Sequence, residues 1–567
     1  MSNYLIVSAP LDSPYEMQIS EFAEVFDSDC HKFDWGVFKV FVFSKGVQSG
    51  TSGFLKGVAI DHDERSIIFH DGFGFNNYEA LNRSEGCFIS LQRRNDYLKV
   101  HGDKFGLMPK LYTVFEFGGG AVSDSFFMLM ALRRFLNIDA DFHDESFNSR
   151  SWFNAITYQL LSKDTVCKQI KYLPANSCVY FHKNNLIVEQ QDASLNFLIN
   201  QKSSYKELVL KAASQIYGLM SGLAGIDESY LSLSASGGLD SRILLCAYSK
   251  MKKDKSLVGF GVNSKKNLTK DFDIACNISE SIGVNFNSRP ASRKSTKING
   301  IFEWLIFCCG IYDPLYSSGS YLEKDSLIRL GGHGGELFKG NYGWRKCSSI
   351  GLSSLDSGLY DLFNREIKKG VKSLGLDDES SFSSEFHYLG YRNPLHGSRF
   401  LQSTLLGFRP LVNESLIRVA YNCFDIQCRD KNKISQDLAI LLDPLIAIEP
   451  YDDIRKQISP SYACERMSYF GGLGEVSKYS VFGHPADIKS GPIHGALKLA
   501  RSFFEKNNIP SNKNDLKVFL SDFLFANEVV DREVKDRILN AILDSSSSYK
   551  SDAATGKAFS LFLITRK

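Results

Sequence analysis

A chain of 567 residues exceeds what one hydrophobic core usually serves, so two domains are expected, and 43% hydrophobic with 23% charged residues is the balance of a soluble globular protein. A formal net charge of +2 gives no electrostatic reason for a polyanionic partner, which argues against nucleic-acid binding. The 12 cysteines include no C-x-x-C pair and no paired Cys/His spacing, which argues against a zinc module.

Cys308 and Cys309 lie in the apolar run 301–311 and read as buried thiols, so a reduced, cytoplasmic setting is expected. The opening residues lack a basic segment followed by an apolar one, and nowhere do eighteen consecutive apolar residues occur; neither a signal peptide nor a membrane span is expected.

In chain order, strand-like runs come first. Residues 36–44 (GVFKVFVFS), 66–70, 87–91 and 97–101 alternate or cluster apolar residues over strand lengths. Ser123 then precedes FFMLMALRRFL, which predicts a helix, and 177–182 with 185–189 reads as a further strand pair. The polar stretch 192–204 is expected to be a linker.

Beyond it, helical spacing at 205–223 is followed by a strand at 230–234, a helix at 241–250, a strand at 257–262, a helix at 271–282 and a strand at 326–330. Such alternation implies βαβ units and a parallel sheet. The lysine run at 250–255 reads as a solvated helix end. The last 150 or so residues look mainly helical, with the Ser-rich tract 545–551 as a loop.

The most informative segment is YLSLSASGGLDSR, residues 230–242, where an apolar strand runs into glycines and a helix opens. Backbone N–H groups of such a turn, at a helix N-terminus, form a nest for phosphate oxygens, with Ser236 and Ser241 adding hydroxyls. Asp240 cannot approach a phosphate without a cation between them. Magnesium suits that place, because it binds through one or two carboxylates plus phosphates. No lysine follows the glycines, so this is not the Gly-Lys-Ser/Thr nucleotide loop.

SGGLDS resembles the signature of the ATP pyrophosphatases, and in particular the synthetase domain of class B asparagine synthetases. The resemblance implies that ATP is cleaved to AMP and pyrophosphate while a substrate carboxylate is adenylated. It extends to LGGHGGELFKGNY, residues 330–342, which is similar to the family's turn of an acidic pair followed by Leu-Phe-Gly-Gly-Tyr. Glu336 takes the second acidic position and Gly335 replaces the first. Glu336 is thereby expected to share Mg2+ with Asp240.

The nucleotide-binding set implied is Ser234, Ser236, Gly237, Gly238, Leu239, Asp240 and Ser241, with Val258, Gly259 and Phe260 beside the adenine, and Gly332 and Gly334 in the later turn. Asp271 and Asp273 precede an alanine-centred helix as in the family, Arg409 is retained in LGFRPLVNESL, and Asn413 stands for its aspartate. Lys456 is the candidate for the lysine that steadies the transition state. His333, in Gly-His-Gly-Gly, resembles a histidine of lasso-peptide cyclases. An imidazole titrating near neutrality suits deprotonation of an amine nucleophile; a structural role is its alternative.

Residues 102–112 and 171–181 are similar to stretches of the family's glutaminase domain. The expected fold is therefore an N-terminal α+β Ntn-hydrolase-like sandwich over 1–195 and an α/β ATP-pyrophosphatase domain with a parallel sheet over 205–567. A glutaminase needs a cysteine directly after the initiator Met, and here that residue is Ser2, followed by Asn3 where the family has glycine. The first domain is thus expected to be a scaffold without glutaminase activity.

The reading that follows is an amide ligase, cytoplasmic, using ATP and Mg2+, that joins the carboxylate of a peptide or small acid to an amine. A macrolactam-forming lasso-peptide cyclase, with a protease or precursor-binding protein as partner, is favoured. The alternatives are ammonia-dependent amidation of a small acid or a surface-polysaccharide sugar acid, and a non-catalytic ATP-binding scaffold.

Overall fold

Three β-sheets organise the chain, as seen in a computed structural model that describes residues 3–50, 53–151, 153, 156–182, 188–191, 195–199, 202–226, 231–253, 261–265, 269–284, 286–289, 299–315, 328–350, 357–399, 406–423, 425, 430, 432–544 and 548–566. The first sheet is antiparallel, in the order Ile170–Leu173, Lys110–Val114, Gly120–Ser123, Tyr4–Pro10, Phe38–Ser44 and Cys30–Trp35. The second runs Val188–Gln191, Cys178–His182, Tyr97–Gly102, Glu85–Arg93, Gly53–Asp61, Ser66–Phe75 and Ser480–Phe482. Its last member comes from late in the chain and pairs in parallel with Ser66–Phe75, whereas the other pairs are antiparallel.

Alternation decides which side chains face which layer. Along Gly53–Asp61, Phe54, Val58 and Ile60 join the main apolar core, while Leu55 and Ala59 face the other way into a small cluster with Ile68, Leu81 and Phe88. Strands buried on both faces carry few polar interruptions, which is why the run 53–61 did not read as a strand by alternation. The helix expected after Ser123 is Phe126–Phe135, and its cap is Ser125, whose Oγ accepts the Met128 N–H at 3.2 Å.

The third sheet is parallel, in the order Phe286–Arg289, Gly261–Lys265, Leu231–Ser234, Ile328–Leu330 and Leu406–Phe408. From Leu231–Ser234 the chain first adds strands on one side and then on the other. The strand order therefore reverses between Leu231–Ser234 and Ile328–Leu330, and a crevice outside the carboxyl ends of those strands is where such sheets bind ligands.

The helix Tyr205–Leu223 carries a complete capping box: Ser204 Oγ accepts the Glu207 N–H at 3.3 Å and Glu207 Oε2 accepts the Ser204 N–H at 2.8 Å. The segment before it, expected as a linker, is anchored where it is described. Leu195 and Leu198 are buried, and the Leu195 N–H donates to the Leu374 carbonyl at 2.9 Å. Apolar side chains within a polar stretch supply that anchor.

The helix expected over 241–250 spans Leu239–Lys253; of the strand expected over 257–262, residues 257–260 lie outside the described residues and the rest falls in the strand Gly261–Lys265. The Ser-rich tract is not wholly a loop, because Ser548 opens the helix Ser548–Thr565, buried along most of its length. Tertiary burial there outweighs the weak helix preference of serine. Among the described residues no helix is long and apolar enough to cross a membrane. Ser2, Val258, Gly259 and Phe260 lie outside the described residues.

Candidate active site

The strand Leu231–Ser234 hands the chain to Ser236–Gly238, and the helix Leu239–Lys253 opens at once. The turn is internally bonded. Ser241 Oγ accepts the Ser236 N–H at 3.1 Å and lies 2.9 Å from Ser236 Oγ, which in turn accepts the Gly238 N–H at 3.2 Å. The Gly237 N–H donates to Asp271 Oδ1 at 2.8 Å, so Asp271, in the first turn of the helix Thr269–Ile282, reaches the loop.

Glycine at 237 is required by space and not by handedness: neither Gly237 nor Gly238 has a positive φ, but a Cβ on Gly237 would stand 2.9 Å from Asp452 Cβ and 3.0 Å from Asp271 Oδ1. Ser234, at the strand end, is half-buried. Leu239 points into the apolar core, so only its backbone can serve the turn.

The second glycine segment lies directly on this one. It follows the neighbouring parallel strand Ile328–Leu330, and a Cβ on Gly332 would stand 2.8 Å from Asp240 Cβ. A Cβ on Gly335 would fall inside 3.0 Å of Asp240 Cγ and both carboxylate oxygens. Gly334 has φ +110°, and a Cβ there would stand 2.5 Å from the Leu411 carbonyl carbon, so this position needs glycine on both counts.

Asp240 is partly buried and ion-paired with Lys339, from the helix Gly335–Lys339. Burial raises its pKa; Lys339 opposes that rise, and the negative charge of Glu336 adds to it. The two carboxylates expected to share a cation thus act on each other. Glu336 is also held within its own turn. Its Oε2 accepts the Gly334 N–H at 2.8 Å and its Oε1 lies 3.2 Å from His333 Nδ1. Burial alone would raise its pKa, yet His333 and the Gly334 N–H hold it well below the usual carboxylate range.

His333 Nε2 lies 3.0 Å from Asn393 Oδ1, and its ring meets that of His396 edge-on, with centroids 6.3 Å apart. Burial pushes the His396 imidazole down to about 3, with Arg392 and His333 adding to the effect, so this neighbour stays neutral at ordinary pH. His333 is thus clamped between a carboxylate and an amide.

Lys456 reaches the site through a chain of contacts that begins inside the signature. Arg242, fully buried, donates from Nη1 to the carbonyls of Ile446 and Glu449 at 3.0 Å and from Nη2 to that of Pro450 at 2.6 Å. Its guanidinium lies 4.2 Å from the Tyr451 ring centroid. The next residue, Asp452, donates its N–H to the Gly237 carbonyl at 3.1 Å, and its carboxylate accepts from Lys456 Nζ at 2.9 Å. The positive charge of Lys456 is felt at Asp240.

Arg409 packs on Gly331, where a Cβ would stand 2.6 Å from Nη1, and donates from Nε to the Gly397 carbonyl at 2.6 Å. Burial pushes it down to about 10, with Arg329 adding and Glu336 opposing. Asn413 is placed elsewhere in function: its Oδ1 caps the helix Glu414–Asn422 and its Nδ2 donates to Gln215.

Sequence reasoning missed Lys339, Asp452 and Asn393. A lysine where the resembling family has the first glycine after Leu-Phe was the available signal for Lys339. Asp452 and Asn393 carry no local pattern, and only the tertiary path from Arg242 and the neighbourhood of His333 identify them.

Among the described residues no group of three or more His, Cys, Asp or Glu side chains is arranged to hold a metal ion by itself. An ion held by two carboxylates plus a bound triphosphate needs no such group, and the ammonium of Lys339 already marks Asp240 as a cation position. Searches of protein-family models and of curated proteins return no match to the chain.

Proposed function

We propose that the chain is an AMP-forming amide ligase of the class B asparagine synthetase superfamily, with ATP bound at the Ser236–Ser241 turn and the substrate carboxylate activated beside it. The observation that carries the reading is the meeting of two separate glycine segments on Asp240, at the carboxyl ends of the strands where the sheet order reverses. The N-terminal sheets would then be the Ntn-like sandwich and the parallel sheet the ATP-pyrophosphatase domain.

In this reading, Mg2+ would be held by Asp240 and Glu336 and would screen the triphosphate from both carboxylates. The N–H groups of Ser236, Gly237 and Gly238 are bonded within the protein, so the helix N-terminus at Leu239–Ser241 and the Ser236 and Ser241 hydroxyls would orient phosphate oxygens. Lys456 and Arg409 would supply positive charge where negative charge develops on the departing pyrophosphate, a preorganised contribution. His333, held by Glu336 at Nδ1, would accept a proton from the attacking amine at Nε2 once Asn393 Oδ1, 3.0 Å from that nitrogen, gives up its place to the amine. Peptide macrolactam formation is the favoured use, because the Gly-His-Gly-Gly turn is the feature that resembles lasso-peptide cyclases.

Incubation with ATP, Mg2+ and carboxylic-acid substrates tests the reading. AMP and pyrophosphate formed only with the cognate acid are expected; ADP and phosphate would refute it.

A further inference from the structure

Lys339 forms an ion pair with Asp240, one of the two carboxylates of the proposed metal site. Its helix begins at Gly335, whose missing side chain leaves room for the Asp240 carboxylate, and one turn later the Lys339 ammonium meets Asp240 Oδ1. Both side chains are partly exposed, 23% for Lys339 and 29% for Asp240, while Asp240 Oδ1, the atom that meets the ammonium, is itself buried. Lys456, by contrast, is committed to Asp452.

We propose that Lys339 is a counter-ion that a divalent metal must displace from Asp240, so that the metal site stays closed until a triphosphate arrives. The inference rests on the nucleotide-site reading above and deepens it. A carboxylate already paired with an ammonium gains little from a second cation, and a bare divalent ion offers Lys339 nothing in return. A metal–nucleotide complex brings phosphate oxygens that can receive the displaced ammonium, so the exchange conserves ion pairs. Lys339 is a positioning residue here, since it acts through Asp240.

Mn2+ is the probe: its binding to the full chain alone is followed by loss of the free-ion electron paramagnetic resonance signal, and its binding with ATP, which itself binds Mn2+, by retention of the complex with the protein in equilibrium dialysis. Wild type is expected to bind Mn2+ weakly alone and tightly with ATP. Lys339→Met should bind Mn2+ alone on the order of tenfold more tightly, the size expected for removing a half-exposed competing ion pair. Adding Asp240→Asn to that variant should erase the gain. Lys339→Gln serves as a second replacement should the methionine variant fold poorly. Equal Mn2+ affinity in wild type and both Lys339 variants would overturn the proposal. Failure of wild type to bind Mn2+ with ATP would instead refute the nucleotide-site reading, while the ATP-free comparison still decides the role of Lys339.

Discussion

Gly335 lies so close to Asp240 that a methyl group on it would overlap the carboxylate. The position where the resembling family carries an acid is therefore one where this chain has no room for any side chain, given the placement of Asp240. Gly335→Ala is expected to displace the Asp240 carboxylate from the cation position, weakening metal–nucleotide binding about tenfold or more while costing about 1–3 kcal/mol in stability. Calorimetric titration with a magnesium–nucleotide complex, beside a thermal melt, checks both.

Arg242 is the structural link between the signature helix and Lys456. Arg242→Met removes three charge-assisted bonds to the carbonyls of Ile446, Glu449 and Pro450 and should destabilise the chain by about 2–4 kcal/mol. Denaturant unfolding measures that cost. Pyrophosphate release should fall as well, because Asp452 and Lys456 lose their anchor.

His333→Ala should separate the two halves of the proposed reaction. Acid-dependent pyrophosphate release should continue, while amide formation falls about 10²–10⁴-fold, the usual worth of a positioned base. Equal loss of both activities would assign His333 to the fold or to adenylation.

Glu385 provides a pH test of the scaffold. Its carboxylate accepts the Asn341 and Tyr342 N–H groups at 2.9 and 2.6 Å, just beyond the site turn. Burial pushes its pKa up to about 7, against the pull of those donors. The folded state therefore keeps a proton that the unfolded chain releases above the ordinary glutamate range, and stability falls as pH rises through that window, levelling off above about 7. The loss is on the order of 1–3 kcal/mol. Melting temperatures between pH 4 and 8 should show this slope, and Glu385→Gln should flatten it.

Much of the site could be read from the chain because its parts are local. The strand–turn–helix at 231–253 and the glycine turn at 331–335 each declare themselves by residue type and spacing, and their meeting follows from adjacent parallel strands. What could not be read depends on distance in sequence. Nothing local tells that Ser480–Phe482 completes the edge of an N-terminal sheet, or that Asp452 closes over Gly237. The strands Tyr4–Pro10 and Gly53–Asp61 escaped for a different reason, since burial on both faces removes the alternation that marks a half-exposed strand. The glycines of the signature are expected from the sequence as a nest for phosphate, and the fold adds a reason for Gly237, the close packing of Asp452 and Asp271 against it.

The most direct test is calorimetric titration of the full chain with Mg2+ and an ATP analogue whose α–β bridge is methylene, which cannot be cleaved there. The account predicts saturable binding in wild type and binding at least about tenfold weaker in Asp240→Asn and Gly237→Ala, each folded as judged by its melt. Absence of binding in wild type, or unchanged affinity in both variants, would contradict it.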